Sequence, residues 1–172
     1  LKQAGRAAGN ANPTVEIPQS IEFKGKTYDY DKLLGGGGDG IAFLMKDKEG
    51  NKIVVKAPVY GDLKAFNEEV NTTIKSEVKT HLSAMGDGND NVLEMKGMIR
   101  NKDKIFTVTE FAKGGELNDV VDLVKKAPIS DENKDLLKLI MMKDAVQGLQ
   151  HVQTERNMSH YDVKPKNFFV GE

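Results

Sequence analysis

His160-Tyr161-Asp162-Val163-Lys164-Pro165-Lys166-Asn167 runs directly into the apolar triplet Phe168-Phe169-Val170. The octapeptide sets a carboxylate, a cation and a carboxamide at fixed offsets in a loop that precedes a predicted strand. Transfer of a phosphoryl group asks for that set of groups. A carboxylate orients the attacking hydroxyl, a cation meets the moving phosphoryl, and an oxygen ligand holds Mg²⁺. Alone, such a stretch also reads as a plain polar turn, so the decision rests on what lies upstream.

Upstream, Gly35-Gly36-Gly37-Gly38-Asp39-Gly40 fits G-x-G-x-x-G with glycines at 35, 37 and 40. Without a side chain in the way, glycine backbone approaches phosphate oxygens and offers them N–H groups. A bare glycine run more often reads as a flexible hairpin loop, and context decides. A dinucleotide-binding turn would lead from a strand into a helix. Here the run leads from the strand through Thr27–Leu34 into another, Ile41–Met45, which suits a flap over phosphates.

Lys56 ends the apolar strand Ile53-Val54-Val55, 16 residues past Gly40. Residues 62–85 read as an amphipathic helix, with Leu63, Phe66, Val70, Ile74, Val78 and Leu82 at three- and four-residue steps. At about 100° per residue, Glu77 projects between Phe66 and Val70. A carboxylate on a packed face is costly unless paired, and Lys56 is the natural partner. The alternative is a Glu at the stripe's edge that reaches water. His81 shares the apolar face and reads as a packed core histidine, and the spacing of His81, His151 and His160 gives no zinc site.

The remaining texture follows from patterning. Residues 1–20 are rich in Ala, Gly, Asn, Gln and Pro and read as an N-terminal extension. Ile21-Glu22-Phe23, the turn at Lys24-Gly25-Lys26 and Thr27–Tyr30 predict a hairpin. Strands are expected near Val92–Ile99 and Ile105–Phe111, then helices over 116–126 and 131–155, divided by Pro128 and with Ser130 as N-cap. Strands with one inserted helix, followed by helices, imply an α+β chain in two lobes rather than an alternating parallel sheet. The expected division is 1–20 extension, 21–111 first lobe, and 112–172 connecting segment and first part of the second lobe.

Charge narrows the partners. Lys and Arg number 25 against 26 Asp and Glu, for a formal charge of −1. No general basic field exists for nucleic acid or an anionic membrane, and no apolar run is long enough to span a bilayer. The chain has no cysteine, which excludes disulfides and thiolate chemistry. It begins at Leu1 rather than Met and is expected to be a processed or partial form.

Taken together, the glycine run, Ile53-Val54-Val55-Lys56, Glu77, Thr109-Glu110-Phe111-Ala112-Lys113-Gly114-Gly115-Glu116-Leu117 and the octapeptide resemble the eukaryotic-type (Hanks-type) Ser/Thr protein kinase family over about residues 28–171. The resemblance implies a kinase-like fold: an antiparallel-sheet N-lobe with one inserted helix, and the start of a helical C-lobe. It implies ATP and Mg²⁺ as cofactors and a protein substrate. By match, Gly35, Gly37 and Gly40 cover the phosphates, and Lys56, paired to Glu77, holds the α- and β-phosphates. Thr109 matches the gatekeeper, backbone groups around Glu110 and Ala112 meet adenine, and Glu116 lies near the ribose or the peptide. Asp162 accepts the proton of the substrate hydroxyl, Lys164 steadies the γ-phosphate and Asn167 binds one Mg²⁺. Lys164, two residues after Asp162, resembles the Ser/Thr pattern rather than the tyrosine-kinase one.

The chain departs from that family at four points. Asp39 stands where an aromatic usually tips the glycine loop. Tyr161 replaces the Arg that pairs with a phosphorylated activation loop, so such phosphorylation is expected to be dispensable; loss of activity on phosphatase treatment would refute this. The His-Tyr-Asp form is also similar to some bacterial kinases injected into host cells. His81 occupies an ordinarily aliphatic spine position. Finally, residues 1–172 contain no Asp-Phe-Gly after Asn167, so this chain by itself is expected to be inactive or nearly so. A cytoplasmic location is expected (host cytoplasm for a secreted effector). A pseudokinase or scaffold, a nucleotide-binding interaction module and a small-molecule phosphotransferase are the alternatives.

Overall fold

The computed structural model describes residues 17–37, 40–57, 68–101 and 104–171. Its contacts gather into two units. The first contains the described residues up to His81 together with Met95–Phe111, and the second contains Leu82–Glu94 and the residues from Ala112 onward.

Six strands form the first unit's antiparallel sheet: β1 (Ser20–Phe23), β2 (Lys26–Gly37), β3 (Gly40–Lys46), β4 (Lys52–Ala57), β5 (Met95–Asn101) and β6 (Lys104–Glu110), in the order β1-β2-β3-β4-β6-β5. The β1–β2 turn is the expected one. Lys24 and Gly25 both take positive φ, 48° and 76°, as a two-residue hairpin twisted like its strands requires. The sheet curls on itself, because Phe23 of one edge strand lies against Gly97 of the other. Phe23 and Ile99 enter the same core as Ile21, Tyr28, Ile41, Phe43, Met45, Ile53, Val55, Phe106 and Val108. At its centre Phe43 and Phe106 meet edge to face, with ring centroids 6.3 Å apart. That geometry suits the ring quadrupoles.

Strand alternation decides where the polar groups go. On β4, Ile53, Val55 and Ala57 are buried while Val54 and Lys56 turn to the opposite face. On that face lies a smaller cluster, Ile74, Val78 and Met95 with Ile105 against it. Ile74 and Val78 belong to helix α1 (Glu68–Met85), so α1 packs on the side of the sheet away from the main core. The sequence places the helix start at residue 62. Residues 62–67 lie outside the described residues.

The second unit holds α2 (Leu117–Lys126), α3 (Asp131–Gln150), a π-helical turn at His151–Glu155, a short 3₁₀ turn at Pro165–Asn167 and a two-residue ladder between β7 (Gly115–Glu116) and β8 (Phe169–Val170). Ser130 is the N-cap of α3, accepting from the amide of Asn133, as expected of a serine before a helix. Lys125 and Lys126 in the last turn of α2 face the negative end of its dipole. Among the described residues, no helix is long and apolar enough to cross a membrane.

Candidate active site

The two units each carry part of the predicted site. In the first, the glycine run differs from its expected form. Gly35, Gly36 and Gly37 belong to β2 rather than to a loop, with Gly36 opposite Ile41 and Gly37 opposite Gly40. Only residues 38 and 39 separate the two strands, and the expectation for Asp39 lies outside the described residues. Gly40, at φ 149°, sits directly on β4. A Cβ there would come 2.6 Å from the Ala57 carbonyl oxygen, so only glycine allows this closeness to the backbone of β4, with Cε of Lys56 alongside at 3.3 Å from that Cβ.

Lys56 Nζ and Glu77 Oε1 stand 3.5 Å apart. The pairing follows the sequence reading, but its stated cause does not. Glu77 is 55% exposed and Lys56 39%, so no buried carboxylate forces the contact. The inward positions of α1 are Ile74 and Val78, and Glu77 lies to the side of them, where it reaches both water and the lysine. An exposed pair at this distance contributes roughly 0–1 kcal/mol. At the end of β6, the Thr109 hydroxyl donates to the Glu110 carbonyl at 3.2 Å.

In the second unit, the Ala112 carbonyl accepts the Gly115 amide in the turn that leads into β7. Glu116 pairs with Phe169, and the Leu117 amide donates to the Phe168 carbonyl at 2.8 Å. The start of α2, with Glu116 as N-cap, is therefore fixed beside the end of the octapeptide.

Asp162, Lys164 and Asn167 come together as the octapeptide predicts. Lys164 Nζ lies 2.7 Å from Asp162 Oδ2. Asn167 Nδ2 donates to that same oxygen and to the Asp162 carbonyl, both at 2.8 Å. The 3₁₀ turn makes this possible by folding Asn167 back, its amide donating to the Lys164 carbonyl. On the other side, the Asp162 amide donates to the His160 carbonyl around Tyr161, which takes φ 42° and is 97% exposed. Positive φ is uncommon for a residue with a Cβ and aims the next residue sharply. The Lys164 hydrogen bond foremost, then that from Asn167, with the charges of Lys164 and His160 adding, holds the Asp162 carboxyl below its usual range against a desolvation that pushes upward. Asp162 is thus ionised at neutral pH, an acceptor with Oδ1 open.

The fit to Mg²⁺ follows from the donors. Both hydrogen bonds of Asn167 use its nitrogen, which leaves Oδ1, a hard oxygen, for a cation. Among the described residues no cluster of three or more His, Cys, Asp or Glu could cage a metal. A cation here would take most of its ligands from phosphate and water, as Mg²⁺ does in phosphoryl-transfer sites. One contact has no signature in the sequence: the His160 ring stacks on Phe168 at 6.0 Å and 10°. No spacing rule links residues eight apart in an irregular loop.

A curled antiparallel sheet with one helix on it, glycine-rich strand ends beside the strand of Lys56, and an Asp–Lys–Asn loop are the features of a protein-kinase-like fold. The protein kinase domain family matches residues 28–172, and the chain belongs to it. It is 27% identical to an Aurora kinase of Dictyostelium discoideum over 84% of this chain and 35% of that protein. It is 26% identical to Aurora kinase B of Xenopus tropicalis over 96% and 42%. To calcium-dependent protein kinase 22 of Arabidopsis thaliana it is 26% identical over 88% and 29%. The chain spans less than half the length of each of these relatives. The family as a whole uses ATP and Mg²⁺ and acts on proteins.

Proposed function

We propose that this chain carries out the Ser/Thr protein kinase reaction as part of its full-length protein, moving the γ-phosphoryl of ATP to a protein hydroxyl. The observation that carries the reading is the loop in which Lys164 and Asn167 both bind Oδ2 of an ionised Asp162 and leave Oδ1 open. In this reading Asp162 orients the substrate hydroxyl and takes its proton. Lys164 swings from Asp162 to the γ-phosphate, which neutralises charge that develops during transfer. Asn167 Oδ1 holds one Mg²⁺. Gly35, Gly37 and Gly40 lie over the phosphates, Lys56 meets the α- and β-phosphates and Glu77 keeps it in place. Glu110 and Ala112 offer backbone groups to adenine, and Glu116 faces the ribose or the peptide. The magnesium, once bound, supplies charge neutralisation between phosphate oxygens.

No Asp-Phe-Gly, which in this family supplies a further Mg²⁺ ligand, lies within the 172 residues. The 172-residue chain alone is therefore expected to transfer phosphate at a negligible rate. The relatives' names, Aurora and calcium-dependent protein kinases, support the protein-kinase class. Mass spectrometry of substrates incubated with the full-length protein and Mg·ATP tests the reading. Phosphoserine or phosphothreonine is expected, and exclusive phosphotyrosine would refute the acceptor class. A scaffold reading draws on the exposed, loose Lys56–Glu77 pair; nucleotide binding without any phosphate transfer would favour it.

A further inference from the structure

We propose that Arg156 is a positioning residue for this site, acting through α1. The inference rests on the kinase reading above and concerns a residue to which that reading gives no role. Helix α1 ends at Met85 with no basic residue in its last turn, yet its final carbonyls need partners. The Gly86 amide takes the Leu82 carbonyl at 3.0 Å and the Gly88 amide takes that of Met85 at 3.2 Å. The Ser83 carbonyl is bound from 73 residues away, by Arg156 Nε at 2.7 Å. The guanidinium lies across Gly86, so close that a Cβ there would be 3.0 Å from Cζ. A cation at this end also meets the negative pole of the helix dipole.

Arg156 leaves from a fixed base. Helix α3 does not simply stop at Gln150 but passes into the π turn His151–Glu155, which the Arg156 amide closes by donating to the His151 carbonyl at 3.1 Å. A π turn holds one residue more than an α turn, and so re-aims the side chains that follow it. His151 and Val152 are buried within it, and His151 Nδ1 lies 2.9 Å from Glu155. The Met158 amide returns to the Val152 carbonyl at 3.0 Å. A second contact joins the same two segments: the Asn91 carbonyl rests on the backbone of α3, 2.3 Å from where a Cβ on Gly148 would stand. Only a glycine fits there.

Along the chain, both directions from this clamp lead to residues of the proposed reaction. Asp162 follows Arg156 by six residues, and Glu77 precedes Ser83 by six on one continuous helix, a rise of about 9 Å. The Lys56–Glu77 pair is long and exposed, so it cannot by itself hold α1 in place. Glu77 is held by what holds α1, which is Ile74 and Val78 against the sheet and Arg156 at the C-terminal end.

The test uses the full-length protein and calorimetric Mg·ATP binding for wild type, Arg156→Ala, Arg156→Lys, Glu77→Gln and the Arg156→Ala/Glu77→Gln double variant. Arg156→Ala is expected to weaken nucleotide binding about 3–10-fold, with Arg156→Lys restoring most of it. In the Glu77→Gln background Arg156→Ala should cost less than about twofold, because both act on one lysine. Unchanged affinity in Arg156→Ala overturns the proposal, as does full multiplication of the two single effects. So does a lowered Tm in Arg156→Ala with unchanged nucleotide affinity, which would mark a merely structural role. Hydrogen exchange of the Glu77–Met85 amides decides the same point without nucleotide, faster exchange in Arg156→Ala being expected and unchanged exchange contradicting it. If wild type transfers no phosphate the kinase reading fails, and these binding and exchange comparisons still decide the role of Arg156.

Discussion

The first unit holds its functional groups by burial, the second by short polar bonds at an exposed turn. Lys56 rides on a strand whose alternate residues Ile53, Val55 and Ala57 are at most 2% exposed. Asp162 and Lys164, by contrast, have side chains 63% and 51% exposed. The helices of the second unit share this openness: α2 has no buried residue, and Leu139 and Met142 of α3 are 63% and 61% exposed. A lysine on a packed strand is placed by the whole core. An aspartate in a loop is placed by Tyr161, Lys164 and Asn167. Substitutions in the two units should therefore do different things.

The largest effect on stability is expected from Phe43→Ala, which empties the centre of the first core. It should cost about 3–5 kcal/mol in chemical denaturation of the full-length protein. A cost under about 1 kcal/mol would break the contrast, since the core would then not be what fixes β3 and β4. A smaller and purely local effect is expected from Lys164→Ala. Asp162 has its carboxyl lowered chiefly by the Lys164 hydrogen bond. Its ionised form therefore contributes stability above the unfolded value, and loses it as pH falls through the folded one. Without Lys164 the Asp162 midpoint should rise toward the ordinary carboxylate value, so protonation begins at higher pH, as a carbon-13 NMR titration would record. An unmoved midpoint would mean that Asn167 and His160 suffice, and the loop would be held differently from the account given.

The same contrast governs what the sequence discloses. Strands β1 to β6 are legible because Ile21, Phe23, Ile53 and Val55 carry the alternation that burial imposes, and Lys24-Gly25 carries the turn. The octapeptide is legible because Asp162, Lys164 and Asn167 are close in the chain and meet through one local turn. Helical projection points Glu77 toward Lys56 but does not disclose its exposure, because it gives direction and not depth. The glycines favour a loop by composition, yet Gly36 and Gly37 stay in the ladder opposite Ile41 and Gly40. The π turn at His151 and the reach of Arg156 to Ser83 left no trace in periodicity. The Arg156 contact joins residues 73 apart in sequence, and the π turn differs from an α turn by a single residue.

The most direct measurement compares Mg·ATP affinity and turnover in full-length wild type and Asp162→Asn. If the exposed loop carries the chemistry and the first unit carries the nucleotide, affinity stays within about twofold while turnover falls on the order of 10²–10⁴-fold. Turnover within threefold of wild type would contradict the assignment of Asp162, and with it the reading of this loop as the catalytic centre.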